Sequence, residues 1–224
     1  MSGEMNLCGM TPDVQLERCL DALRMLPPGG TLELVTTGSS QLLGALQDRC
    51  WGEFDWYPLA QDPDDVTRVA LFRTASPLQS RQIGEFLTFD HRRCDDLYAL
   101  VEEQAQQENA AEAGRLFGYF ETGMLHHFAM EEERFFPAFE AKTGMRQGPT
   151  TVMRMEHEQM RGILKRMRQS LAAGDLHGVV RASGTLLMVM QQHNVKEEQM
   201  LYAMGDMHLG SEADSLLRSM QRQA

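Results

Sequence analysis

The chain of 224 residues contains seven histidines, and four of them stand inside the apolar stripes of long helical segments. The first stripe is Leu87, His91, Cys94, Tyr98 and Val101. The second is Leu116, Phe120, Met124, His127, Glu131 and Phe135. The third is Met153, His157, Met160, Leu164 and Met167, and the fourth is Leu186, Met190, His193, Glu197, Met200 and Met204. Two of the histidines are followed four residues later by a glutamate, His127 by Glu131 and His193 by Glu197, which puts each pair on one helix face a turn apart. One histidine on an apolar face is ordinary core. Four, joined by two carboxylates, carry a large desolvation cost unless something pairs them. A metal cluster supplies that pairing, and imidazole with carboxylate suits iron, manganese or zinc. Two carboxylates able to bridge point to two metals. Each would take two histidine nitrogens and one oxygen from each glutamate, with room for a bridging oxo or hydroxo group and an exchangeable position.

The neighbours of these six residues divide by geometry. Glu198 competes with Glu197 for the fourth segment's carboxylate, and same-face spacing favours Glu197. Glu132 and Glu133 fall on the exposed face or behind the ligands. His126 points about 100° away from His127 on a helix. His177 and His208 sit at the two ends of the fourth segment. Asp90 and Glu156 each precede a candidate ligand and cannot easily reach the adjacent ring, so they serve a neighbouring helix or face solvent. Cys94 and Tyr98 read as core, with Tyr98 the alternative hydrogen-bond donor to the site.

Asp90-His91-Arg92-Arg93, HHFAMEEERFFPAFE from His126, Glu156-His157-Glu158 and QQHNVKEEQMLY from Gln191 resemble the hemerythrin-like (HHE) cation-binding family, from about Pro77 to Met207. The resemblance implies an up-down all-α four-helix bundle around a non-haem di-iron centre of two iron ions. Two departures narrow it. Oxygen-carrying members have a second histidine where this chain has Arg161, and an aspartate where it has Glu198. The pattern is closer to di-iron proteins that repair iron–sulfur and other iron centres after nitric oxide or oxidative stress. That resemblance implies Glu131 and Glu197 as bridges. The alternatives are an O2- or NO-binding sensor without turnover, and a di-iron NO or peroxide oxidoreductase. A G-x-G-x-x-G fingerprint is absent, so electrons, like delivered iron, would pass through a protein partner.

The elements that must position these residues follow from periodicity. Segments of helical period run over Leu78 to Gln107, Ala110 to Lys142, Thr150 to Ala173 and Leu176 to Met207, with a short helix from Ser211 to Arg222. Gly144, Gly148, Pro149 and Gly174 mark the breaks. Long helices on short loops predict an antiparallel bundle. Pro137 predicts a loosened turn late in the second. Before Thr74-Ala75-Ser76-Pro77-Leu78, a breaker-containing linker, the grammar differs. A first strand near Met5 to Leu7, a helix Val14 to Leu26, a strand Thr31 to Thr36, a helix Ser40 to Arg49, and strands Phe54 to Leu59 and Val66 to Phe72 around Gln61-Asp62-Pro63-Asp64-Asp65 predict an α+β sandwich, βαβαββ. The domains expected are therefore 1–75 and 76–224. Gly9-Met10-Thr11-Pro12, with the following helix and PPGGTLELV, resembles the TusA-type sulfur-carrier fold. Such carriers have a cysteine where this chain has Thr11. Cys8 is the substitute thiol, and an interaction module is the alternative role.

Composition removes several classes. A net charge of -11 without a basic stripe argues against nucleic acid and anionic membranes as partners. No apolar run is long enough to span a bilayer. MSGEMNLCGM does not read as a secretion signal, and the four scattered cysteines do not form a disulfide framework, so the expected compartment is the cytoplasm. The 17 methionines read chiefly as core filling.

Overall fold

Period-two alternation builds the first part of the chain. In β2 (Thr31–Thr37) and β4 (Val66–Arg73), Leu32, Leu34, Val69 and Leu71 all turn to one face and into one core. The computed structural model describes residues 3–37, 39–50, 53–61, 66–74 and 82–221. Around those strands lie β1 (Gly3–Asn6), α1 (Pro12–Met25), α2 (Ser39–Arg49) and β3 (Phe54–Gln61), in the βαβαββ order that the alternation predicts. The sheet order is β1-β2-β4-β3. β1 runs parallel to β2, a pairing that requires a crossover, and α1 provides it. The other pairs are antiparallel. Leu20 and Leu23 of α1, Leu43 and Leu46 of α2, and Trp56 fill the core. The expected turn residues 62–65 and the linker residues 75–78 lie outside the described residues.

From Gln82 onward the described residues are mainly helical. α3 (Ile83–Gln106), α4 (Ala110–Met130), α5 (Phe136–Thr143), α6 (Pro149–Ala172), α7 (Leu176–Lys196) and α8 (Tyr202–Leu209) form a bundle. A 3-10 turn (Gly210–Glu212) and α9 (Ala213–Gln221) follow. The chain divides into two compact units, Gln82–Leu216 and Met1–Arg81 with Leu217–Ala224. Local chemistry sets the helix ends. Asn109 and Asp175 accept from the amides of Glu112 and Gly178 at the starts of α4 and α7. Gly144, with φ 75°, closes α5 in the left-handed conformation. Gln82 supplies no side-chain cap to α3. Asp206 does so from α8, accepting from the amides of Ile83 at 2.8 Å and Gly84 at 3.2 Å. α3 packs on α4 and α7, and α6 packs on α7 and α4. Among the described residues, no helix is long and apolar enough to cross a membrane.

Two π turns, Glu131–Phe135 and Glu197–Leu201, join α4 to α5 and α7 to α8 without a break. In each, an amide reaches back five residues, Phe136 to the Glu131 carbonyl and Tyr202 to the Glu197 carbonyl. The extra residue rotates everything that follows. Phe135 and Phe136 are both buried, as are Leu201 and Tyr202. Met200, placed on the inner stripe by uniform helical spacing, is instead 47% exposed. Pro137 falls in the first turn of α5, where the relocated ladder does not need its missing amide.

The first π turn approaches α8 closely at Gly205, where an added Cβ would lie 2.6 and 2.7 Å from two carbons of the Phe135 ring. Gly205→Ala is therefore expected to lower stability by about 1–3 kcal/mol, through overpacking. Urea denaturation followed by circular dichroism measures it, and an unchanged midpoint would mean that the ring yields freely.

Candidate metal centre

The π turns fix the carboxylates first. Glu131 and Glu197 are each the first residue of one, and both are fully buried, at 0% exposure. One turn before them, His127 on α4 and His193 on α7 face the same interior, with His91 on α3 and His157 on α6 opposite. Glu131 Oε2 lies 3.2 Å from His157 Nε2 and 3.5 Å from His127 Nε2. Glu197 Oε2 lies 3.0 Å from His193 Nε2 and 3.3 Å from His91 Nε2. All six sequence-selected residues thus come together.

Each ring is held from behind by a carboxylate on the next helix around the bundle. Asp90 takes His127 Nδ1 at 2.8 Å, and Glu132 takes His157 Nδ1 at 2.7 Å. Glu156 takes His193 Nδ1 at 3.0 Å, and Glu198 takes His91 Nδ1 at 2.8 Å. The residue before a histidine and the residue after a glutamate do this work in both halves. A carboxylate accepts, so Nδ1 carries the proton and the Nε2 lone pair turns inward, as in metal-binding histidines. Cations anchor three of the carboxylates. Arg93 pairs with Asp90 at 2.6 Å, Arg161 with Glu132 at 3.0 Å, and Lys196 with Glu156. The Glu198 side chain is 35% exposed.

This interior is short of positive charge. His127 Nε2, Glu131 Oε2 and Glu197 Oε1 are buried without a hydrogen-bond partner. His157 Nε2 and His193 Nε2 face each other at 3.1 Å, lone pair to lone pair when both rings are neutral. Two overlapping groups of candidate ligand atoms result, Glu131 with His157, His193 and Glu197, and His91 with His127 and Glu197. Each group lies within 4.8 Å, and Glu197 belongs to both. The donor set fits imidazole- and carboxylate-binding metal ions.

With protons as the only counter-ions, two rings take up the deficit. Burial opposes charge on His91, but hydrogen bonds that its ring donates to Glu197 and Glu198 outweigh it and lift its pKa to about 10. Burial likewise opposes charge on His157, and Glu131 and Glu132 lift it to about 9. Burial pushes Glu132 up, yet His157 and Arg161 hold it down to about 2. The two histidines sit above their ordinary value near 6.5. Their stabilisation is complete below that pH and is lost as pH rises through about 9 and then 10. The melting temperature of the metal-free protein is therefore expected to fall between pH 7 and pH 10, and that of metal-loaded protein to change much less. Thermal melts at stepped pH measure both, and parallel curves would contradict the assignment.

Other sequence candidates fall elsewhere. His126 belongs to neither group, and His177 and His208 are exposed. Cys94 is buried in the core, and the Tyr98 hydroxyl donates to Glu102 at 3.2 Å. Asp90 and Glu156 each serve a neighbouring helix, the first of the two roles their spacing allows. Sequence reasoning passed over Tyr202. It is buried on the first turn of α8, with its hydroxyl 2.8 Å from Glu131 Oε1 and 3.0 Å from Glu197 Oε2. The signal was a register match, since Tyr202 follows His193 by the same nine residues that separate Phe136 from His127.

Residues 82–205 match the Hemerythrin HHE cation binding domain, a span that covers more than half of the chain and takes in all six residues of the cluster. No curated protein and no solved structure gives a significant match. The chain belongs to the hemerythrin HHE cation-binding domain family.

Proposed function

We propose that His91, His127, His157, His193, Glu131 and Glu197 hold two iron ions as a non-haem di-iron centre. We further propose that the protein serves in the repair of iron centres or in the response to nitric oxide or oxidative stress. The observation that carries the first statement is the sharing of Glu197 between two ligand groups whose buried acceptor atoms lack partners. Bound iron would supply redox chemistry and an affinity for O2, NO or peroxide. The chain's own part is to orient four Nε2 lone pairs, neutralise the carboxylates and keep the cluster dry.

The second statement draws on Arg161. Its guanidinium is committed to Glu132 and stacks over the Phe128 ring at 5.0 Å, so the third helix contributes one imidazole. A cluster with four imidazoles gives up iron more readily than one with five. The N-terminal unit, with Thr11 at the start of α1, is read as an interaction module for a protein partner that accepts iron or supplies electrons.

The test is anaerobic loading followed by metal analysis, chelator challenge and optical spectra with NO. Two irons per chain that pass to a chelator and respond to NO support the proposal. Retention as strong as that of an oxygen carrier would reject the repair role. Reversible O2 or NO binding without turnover would identify a sensor. Turnover with an added electron donor would identify an oxidoreductase.

A further inference from the structure

Tyr202 opens α8 directly after the second π turn, so the backbone shift that follows Glu197 also turns this phenol inward. The residue is 1% exposed. Its oxygen lies 2.8 Å from Glu131 Oε1, 3.0 Å from Glu197 Oε2 and 3.1 Å from His91 Nε2. These cannot all be hydrogen bonds. The phenol has one proton, and a carboxylate only accepts. Donation to one glutamate leaves a contact of oxygen lone pairs with the other, inside a buried site where unmatched polar atoms are costly. A shared cation removes the conflict. Ligand atoms at about 2.1 Å from one metal, at right angles, stand about 3.0 Å apart, and the three distances cluster around that separation.

We infer that Tyr202 is a further metal ligand, through its phenol oxygen, at the position shared by His91, Glu131 and Glu197. The inference rests on the di-iron reading. On coordination the O–H bond is replaced by an O–metal bond, and the proton leaves to solvent with those displaced from the imidazoles. The other half of the bundle provides an internal comparison. Phe136 stacks on His157 with ring centroids 5.9 Å apart, as Tyr202 stacks on His91 at 5.6 Å. The same ring packing is used twice, and only the His91 side carries an oxygen. The two metal positions are therefore chemically unequal.

The test is optical and vibrational. The full chain is loaded with two ferric ions and examined by visible absorption and resonance Raman scattering. A phenolate-to-iron charge-transfer band with enhanced tyrosinate ring modes is expected. Tyr202→Phe should lose both while still binding two irons, and Tyr98→Phe should keep both. If Tyr202→Phe fails to fold, persistence of the modes in Tyr57→Phe, Tyr98→Phe and Tyr119→Phe assigns them to the remaining tyrosine of the four. Two bound irons without tyrosinate modes, or modes that survive Tyr202→Phe, would overturn the ligand assignment and leave the di-iron reading standing. Failure of the wild-type protein to bind iron would overturn both.

Discussion

With the proposed di-iron centre, Glu197→Ala is expected to abolish retention of both metal ions, whereas Glu198→Ala weakens binding only about 10–100-fold, the usual effect of losing a group behind a ligand. The two glutamates are adjacent in sequence and carry the same charge, so composition and net charge change equally. Their positions differ. Glu197 is fully buried and lies near the Nε2 atoms of both His193 and His91. It is the residue common to the two ligand groups. Glu198 reaches His91 Nδ1 from the outer side and is partly exposed. Removing Glu197 takes a donor from both positions, while removing Glu198 frees one ring to rotate or change tautomer. Metal content after gel filtration and a competitive metal titration measure the two effects, with circular dichroism confirming the fold. If Glu198→Ala lost both metals and Glu197→Ala kept them, the ligand would be Glu198.

The six central residues were legible because a helix repeats its face every three to four residues, and an ionisable residue on an apolar stripe contradicts its surroundings. Spacing therefore found His91 and His157 without any neighbour to mark them. It also favoured Glu197 over Glu198 for the inner face, and Glu197 is the buried one of the two. The same logic failed at Met200, since a π turn inserts a residue and rotates the helix after Glu197. Uniform periodicity sent Met200 inward and ignored Tyr202; the structure does the reverse. The clue was the apolar pair that ends each π turn region, Phe135-Phe136 and Leu201-Tyr202. Asp90 and Glu156 could not be assigned from sequence for another reason. Their partners are on adjacent helices, His127 and His193, and helix-to-helix register is a tertiary property. In the N-terminal unit alternation was enough for the strands, because a strand buries one face and declares it residue by residue.

Loading both sites of the proposed di-iron centre is expected to raise the melting temperature of the metal-free protein by about 16 °C or more. A site held at a thousand times its dissociation constant adds about 4 kcal/mol to the folded state, so two add about 8. At even 2 °C per kcal/mol, the lower end for domains of this size, the shift reaches about 16 °C. The folded bundle alone assembles the ligands, drawn from α3, α4, α6 and α7 with their π turns, so the unfolded chain competes poorly for metal. Calorimetry with and without a chelator measures the shift, and a change of only a degree or two would mean that the cluster is held together by its own hydrogen bonds. The variant with both Glu131→Gln and Glu197→Gln separates the two causes. Without the central carboxylates it should show no metal-dependent shift. It should also show a smaller fall in stability between pH 7 and pH 10, because only Glu198 and Glu132 would then favour the protons on His91 and His157. A variant that kept the full alkaline fall would show that the central carboxylates do not cause it.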